Sequence, residues 1–277
     1  VPYDPDETHD TLSDFCQQLV DRGGVIQRET LTAAANDHLG FMIATFAARQ
    51  LDQLHAIGYL IIGESPAQAG ILARTMLEGF ALLYWAHANP DRALRWRAYS
   101  LVHDLKVLRE KQAAGDPLDP KHEPELLDRL RRDAQMFLKK RAKQNVTDEV
   151  LGNPSSYQDV WHVGDDGAKL TISAIIKTLD EEDGPKLREM YGSLSKYVHW
   201  GIEGLAPHLS RTPSGYSIDL QSEPRDALTA MAMGFQACMQ TFLLLTVHFG
   251  LDTEQKNLSG IKNEYVRELS GVLSPAD

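Results

Sequence analysis

The chain is poor in most of the features that announce chemistry. Its two cysteines, Cys16 and Cys238, stand far apart in helix-like segments. That is the pattern of core thiols in a cytosolic protein rather than of a disulfide framework. No glycine-rich loop follows a strand, which leaves out the usual phosphate cradles of nucleotide enzymes. His-Glu-x-x-His and Glu-x-x-His are both missing, so the helical signatures of zinc peptidases and di-iron bundles are absent, and no metal or cofactor is expected. There is no repeat at a fixed period. The N-terminal stretch VPYDPDETHD is acidic and proline-containing, unlike a secretory signal. Positive charge is scarce, at 28 Lys and Arg against 39 Asp and Glu. The resulting net charge of -11 argues against a protein that coats long DNA through a broad basic face, but leaves room for a local basic pocket.

Charge is also missing from two long stretches. Residues 227–251 carry none and are long enough to span a bilayer. Thr229, Gln236, Gln240, Thr241, Thr246 and His248 interrupt them, and no basic cluster flanks them. They are expected to form a core helix of a soluble, cytoplasmic protein with no membrane partner. Residues 65–90 hold only two charges, Arg74 and Glu78.

What is present is punctuated as helix. Residues 7–20 read as a first helix ended by Gly23-Gly24. A long one is expected over about 29–62, with Leu39, Met42, Ile43, Phe46, Leu51, Leu54 and Ile57 mostly at three- and four-residue steps. Ser65-Pro66 and Asn89-Pro90 each couple an N-cap to a proline at the first helical position, so helices start at both. The later one carries a stripe of Leu94, Ala98, Leu101, Leu105 and Leu108 up to the break at Gly115-Asp116-Pro117. Residues 125–144 predict a charged helix with Arg131, Arg132, Lys139, Lys140 and Arg141. It reads as a solvated face, the alternative being a patch for an anionic partner that Asp128 and Asp133 dilute. Residues 145–168 form an ordered loop, because Tyr157, Val160 and Trp161 need somewhere to pack; it is expected over the bundle, near the site. Further helices are expected over about 169–179, 187–201, from Pro224, and over about 253–269. Between Gly201 and Pro224 the period breaks, and GYSIDL alternates like a short strand. The fold class is therefore all-α, a single multi-helix bundle of about nine helices with one small hairpin or extended insertion near 205–220. One domain is expected over 1–277, with an N-terminal helix and arm over 1–28 and a C-terminal helix and tail over 252–277.

The best clue to a site lies in residues 187–201. As one helix they place Tyr191, Ser195 and His199 at i, i+4 and i+8, within roughly 80° of one face. Arg74 and Glu78, an i, i+4 pair on an otherwise uncharged helix, are expected to be partly buried, to satisfy each other and to meet that face. Two readings stay open. In one the five side chains are a hydrogen-bond network that fixes helix register. In the other they form a pocket and, with it, the catalytic candidates. There Arg74 binds an anion, Glu78 orients it or acts as a base, and His199 titrates near neutrality. Trp85, Trp161 and Trp200 would supply walls, with Tyr99 a further ligand contact. Ser195 lacks a nucleophile elbow and an orienting acid, so its hydroxyl is expected to bond a helix carbonyl or His199.

Arg74-x-x-x-Glu78 followed by Tyr191-x-x-Leu194-Ser195-x-x-x-His199, with Arg97-x-Tyr99 between them, resembles a bacterial family catalogued only as a domain of unknown function. The likeness spans roughly residues 39–248 and implies a fold that is helical throughout. In helical outline it is similar to the broader HEPN group, the nucleotide-binding and often ribonuclease bundles of bacterial conflict systems. Nuclease members of that group use Arg, four to six residues, then His, both cations converging on a phosphodiester across a dimer interface. RAYSLVH, from Arg97 to His103, fits that spacing. It departs from the pattern at Ala98, where a polar residue is common, and on a regular helix the two cations point about 120° apart.

These readings favour a binding or interaction module, placed in stress or phage defence by analogy of fold. The alternative is a metal-independent ribonuclease or other hydrolase working through Arg97 and His103, or through Arg74 and His199. The expected partners are a second copy of the chain, through its apolar final helices, and a small anionic ligand or RNA.

Overall fold

Proline and glycine set most of the boundaries in the computed structural model, which describes residues 5–164, 168–179, 183–195, 209–213, 215–218 and 224–269. Among these residues the fold is all-α apart from one hairpin. Its helices are α1 (Pro5–Ile26), α2 (His38–Ile62), α3 (Pro66–His87), α4 (Asp91–Ala98), α5 (Ser100–Ala114), α6 (His122–Asp133), α7 (Asp148–Leu151), α8 (Ile172–Lys177) and α9 (Asp183–Ser195). The hairpin of β1 (Leu209–Thr212) and β2 (Gly215–Ile218) follows, then α10 (Pro224–His248) and α11 (Asp252–Leu269). In the hairpin Leu209 faces Ile218 and Thr212 faces Gly215, inside the segment where the helical period breaks in the sequence. The chain divides into two compact units, one of residues 1–83 with 176–277 and one of residues 84–175.

The first unit is organised around α10. This helix is long and apolar enough to cross a membrane, and 67% of its most apolar window is buried inside the protein. Met231, Phe235, Cys238, Phe242 and Leu245 carry that burial, and α1, α2 and α11 pack around it. Fully burying a side chain such as Phe235 contributes roughly 1.5–3 kcal/mol. The hydroxyls of Thr241 and Thr246, buried on the same helix, donate to the carbonyls of Ala237 (2.8 Å) and Leu243 (3.0 Å), so neither is left unpaired. Phe235 stacks on Tyr265 of α11, with ring centroids 4.3 Å apart. Cys16 and Cys238 are free and buried. Burial pushes the Cys16 thiol up to about 12 and raises that of Cys238 as well, so both stay protonated.

Two expectations fail here for physical reasons. The Gly23-Gly24 pair does not stop α1. A Cβ on Gly23 would lie 2.5 Å from Leu51 Cδ1 and 3.1 Å from Phe242 Cζ. Glycine serves there as the point of closest approach among α1, α2 and α10, not as a terminator. The second helix begins at His38 rather than near residue 29, because Asp37 caps it, its Oδ1 accepting from the Gly40 amide at 2.8 Å.

The second unit packs α5 and α6 around Leu101, Leu105, Leu126, Leu130, Phe137 and Tyr157. The apolar stripe over α4 and α5 is interrupted at Tyr99, where the Val102 amide reaches back only three residues, to the Tyr99 carbonyl (3.0 Å). Leu94, expected in the stripe, is exposed. The charged helix expected over 125–144 ends at Asp133. Phe137 and Leu138 are adjacent and both fully buried. The chain leaves the helix through a 3-10 turn (Gln135–Phe137) and an extended Leu138 that bridges Tyr157. Within the segment read as a loop, the Tyr157 hydroxyl donates to the Leu151 carbonyl at 3.0 Å. α8 is shorter than expected, at Ile172–Lys177.

Candidate functional site

An arginine on a helix this apolar must find partners or go unpaired, since a buried charge without them is costly. Arg74 lies on α3, its side chain only 12% exposed, and Nε donates to Glu78 Oε1 one turn along at 3.1 Å. Nη2 crosses to α9 and donates to the Tyr191 hydroxyl at 2.9 Å. The guanidinium carbon also stands 4.8 Å from the Tyr191 ring centroid, a cation–π contact. Nη1 is buried and has no partner among the described residues. The Glu78 side chain is 32% exposed and Tyr191 is half-buried, so both reach solvent. Ser195 is half-buried one turn beyond Tyr191, and its hydroxyl donates to the Tyr191 carbonyl at 2.8 Å. That bond is the ordinary one for a helical serine, and it takes the only hydroxyl proton away from a nucleophilic role. Arg74, Glu78, Tyr191 and Ser195 are thus brought together between α3 and α9 in the first unit. His199 and Trp200 lie outside the described residues.

Two of the three aromatic candidates of the second unit meet each other. Trp85, 4% exposed, sits 5.8 Å from Trp161 between ring centroids. Arg92 covers its face with Cζ 4.2 Å from the ring, and Nη1 donates to the Trp85 carbonyl at 2.7 Å. Tyr99 meets Phe137 edge-on at 5.1 Å and donates its hydroxyl to the Gln158 carbonyl at 3.0 Å. Burial, reinforced by the charge of Asp159, raises the Tyr99 phenol and keeps it protonated. Arg97 and His103 are both exposed, on α4 and α5.

Two polar contacts are absent from the sequence reading. His162 is buried, and its Nδ1 must donate to the Leu170 carbonyl at 2.7 Å, because a carbonyl only accepts. Burial lowers its pKa and favours the neutral ring. His248, at the end of α10, places Nε2 2.8 Å from Asp37 Oδ2, so the cap of α2 is held by a residue 211 positions away. Nothing local in the sequence marks that pair. Proline and glycine around His162 do mark an ordered loop, but not which of its residues turns inward. Among the described residues no group of His, Cys, Asp and Glu is arranged to hold a metal ion.

The class these features define is an all-α protein with an arginine-centred polar cluster clamped between two helices. The model of a family of unknown function, DUF5677, matches residues 40–216, well over half of the chain, and the protein belongs to that family. Arg74, Glu78, Tyr99, Tyr191 and Ser195 all fall within the matched residues. No curated protein and no solved structure matches the chain.

Proposed function

We propose that the protein is a binding module whose small ligand is held at Arg74 by a carboxylate or phosphate oxygen. The observation that carries this is the buried Nη1 group, without a partner among the described residues. A guanidinium presents five N–H donors in a planar fork. Glu78 and Tyr191 engage Nε and Nη2 and fix the plane from two sides. A buried donor left unpaired costs about 1–3 kcal/mol, and more when charged, so an acceptor oxygen arriving at Nη1 recovers that amount. Because Glu78 already balances the charge, ligand choice rests on the geometry of the fork rather than on a net positive field.

Thermal unfolding with inorganic phosphate and with acetate tests the reading on the natural chain, Arg74→Met and Arg92→Met. The natural chain and Arg92→Met should each be stabilised by at least one probe, and Arg74→Met by neither. Equal shifts in all three proteins, or none in any, would contradict it. A cytoplasmic location rests on the two buried free thiols, and a stress or phage-defence setting rests on the HEPN-like helical outline alone. The ribonuclease alternative is supported by the exposure of both Arg97 and His103. RNA incubated with the natural chain, His103→Ala and His199→Ala tests it, and RNA left intact in every tube removes it.

A further inference from the structure

The fold divides the basic run that begins in the last turn of α6 into two parts. Arg131 pairs with Asp128 at 2.8 Å and also with Asp148, and Arg132 pairs with Asp133 at 3.0 Å, so these charges are neutralised locally. Beyond them residues 139–143 form a tight turn fixed to the core of the second unit. The Lys139 amide donates to the Ser156 carbonyl (2.8 Å) and the Ala142 amide to the Lys139 carbonyl (2.8 Å). Leu138 and Tyr157 bridge beside it, both buried. Lys139 Nζ is tied to the Ser155 carbonyl at 2.8 Å. Lys140, Arg141 and Lys143 are exposed, and no carboxylate partners them among the described residues. Asp148 is already engaged by Arg131, and Asp159 by Lys169 at 3.0 Å.

We propose that this turn docks the phosphodiester backbone of a single-stranded nucleic acid. Three exposed cations fall within four residues here, on a turn in which the amides of Ala142 (2.8 Å) and Lys143 (3.1 Å) both bond back to the Lys139 carbonyl. Three neighbouring like charges on one fixed turn fit successive phosphates better than one isolated carboxylate. The stretch KKRAKQNVT contains no aromatic side chain, so base stacking contributes nothing and binding is indifferent to sequence. Its one large exposed apolar neighbour, Val146, is too little for insertion into a bilayer. The net charge of -11 disfavours wide contact with a polyanion beyond this turn. With three free cations the slope of log affinity against log salt should be about -2, at roughly -0.7 per phosphate. This inference does not depend on the Arg74 reading.

The test is fluorescence anisotropy of labelled oligouridylate with the full chain, in three forms. One is the natural protein, and one carries Lys140→Glu, Arg141→Glu and Lys143→Glu. The third carries Arg49→Glu, Lys111→Glu and Lys256→Glu, which makes the same change in net charge at scattered exposed sites. The natural chain should bind with the shallow slope above, the turn variant at least about tenfold more weakly, and the scattered variant within about threefold of the natural chain. No binding by the natural chain would overturn the proposal, as would equal losses in the two variants. So would phosphatidylserine vesicles or polyglutamate being held through the turn more tightly than the oligonucleotide.

Discussion

Arg74 and Arg92 each lie over an aromatic ring, 4.8 Å from the centroid of Tyr191 and 4.2 Å from that of Trp85. Arg92 also reaches the Trp85 main-chain carbonyl, and none of its nitrogens is both buried and unpartnered. Its ring is almost wholly buried and backed by a second indole. Arg74 reaches a hydroxyl on a half-buried ring and a carboxylate that is a third exposed, and keeps one buried nitrogen without a partner among the described residues. The same residue type on the same kind of surface therefore does two jobs. One arginine closes a piece of core, while the other is held in place with a donor to spare.

Substitutions can break this contrast in order of severity. Trp85→Ala should cost the most, about 3–5 kcal/mol in urea unfolding, because it empties a buried indole site with both neighbours left standing. Arg92→Met should cost about 1–3 kcal/mol by leaving the Trp85 carbonyl unpaired, whereas Arg74→Met should stay within about 1 kcal/mol of the natural chain. Methionine keeps much of the stem's volume and removes the unpaired donor, and the freed Glu78 is exposed enough for water to take over. If Arg74→Met proves the more damaging of the two, Arg74 is the structural arginine and the contrast is inverted. Tyr191→Phe should cost about 0.5–1.5 kcal/mol and should weaken any ligand that Arg74 holds.

Acid should separate the two units more gently. Burial holds His162 below the ordinary histidine pKa of about 6.5. The unfolded chain then binds the proton first, and stability contributed by the neutral ring is lost as pH falls below about 6.5. Asp37 works lower on the scale. Burial pushes its carboxyl up, but the His248 side chain and the Gly40 amide outweigh that and hold it below its usual range. Its contribution is complete above about pH 4 and is lost as pH falls through the depressed value. Amide exchange followed from pH 7 to pH 3 should therefore loosen the loop around His162 before the start of α2. Simultaneous loss would contradict both assignments.

Much of the architecture was legible because helix starts have local chemistry. Ser65-Pro66, Asn89-Pro90 and the left-handed Gly115 each mark a boundary that the fold uses. The failures come where a distant neighbour decides. Gly23 looks like a stop until Leu51 and Phe242 are seen against it. The end of α6 depends on where Phe137 and Leu138 find a core. The meeting of Arg74 with Tyr191 could be anticipated, since a lone ion pair on an apolar helix needs polar company and α9 offered it. Which of the three guanidinium nitrogens would stay unpartnered could not, because that depends on ångström-scale placement of two helices far apart in sequence.

The most direct test of the claim about Arg74 is side-chain nitrogen NMR of the arginines during a titration with inorganic phosphate. A saturable change is expected at the Arg74 guanidinium, with the Arg92 resonances unmoved. An Arg74 signal that stays fixed at saturating phosphate while exposed arginines drift would mean that its cluster is a closed structural network.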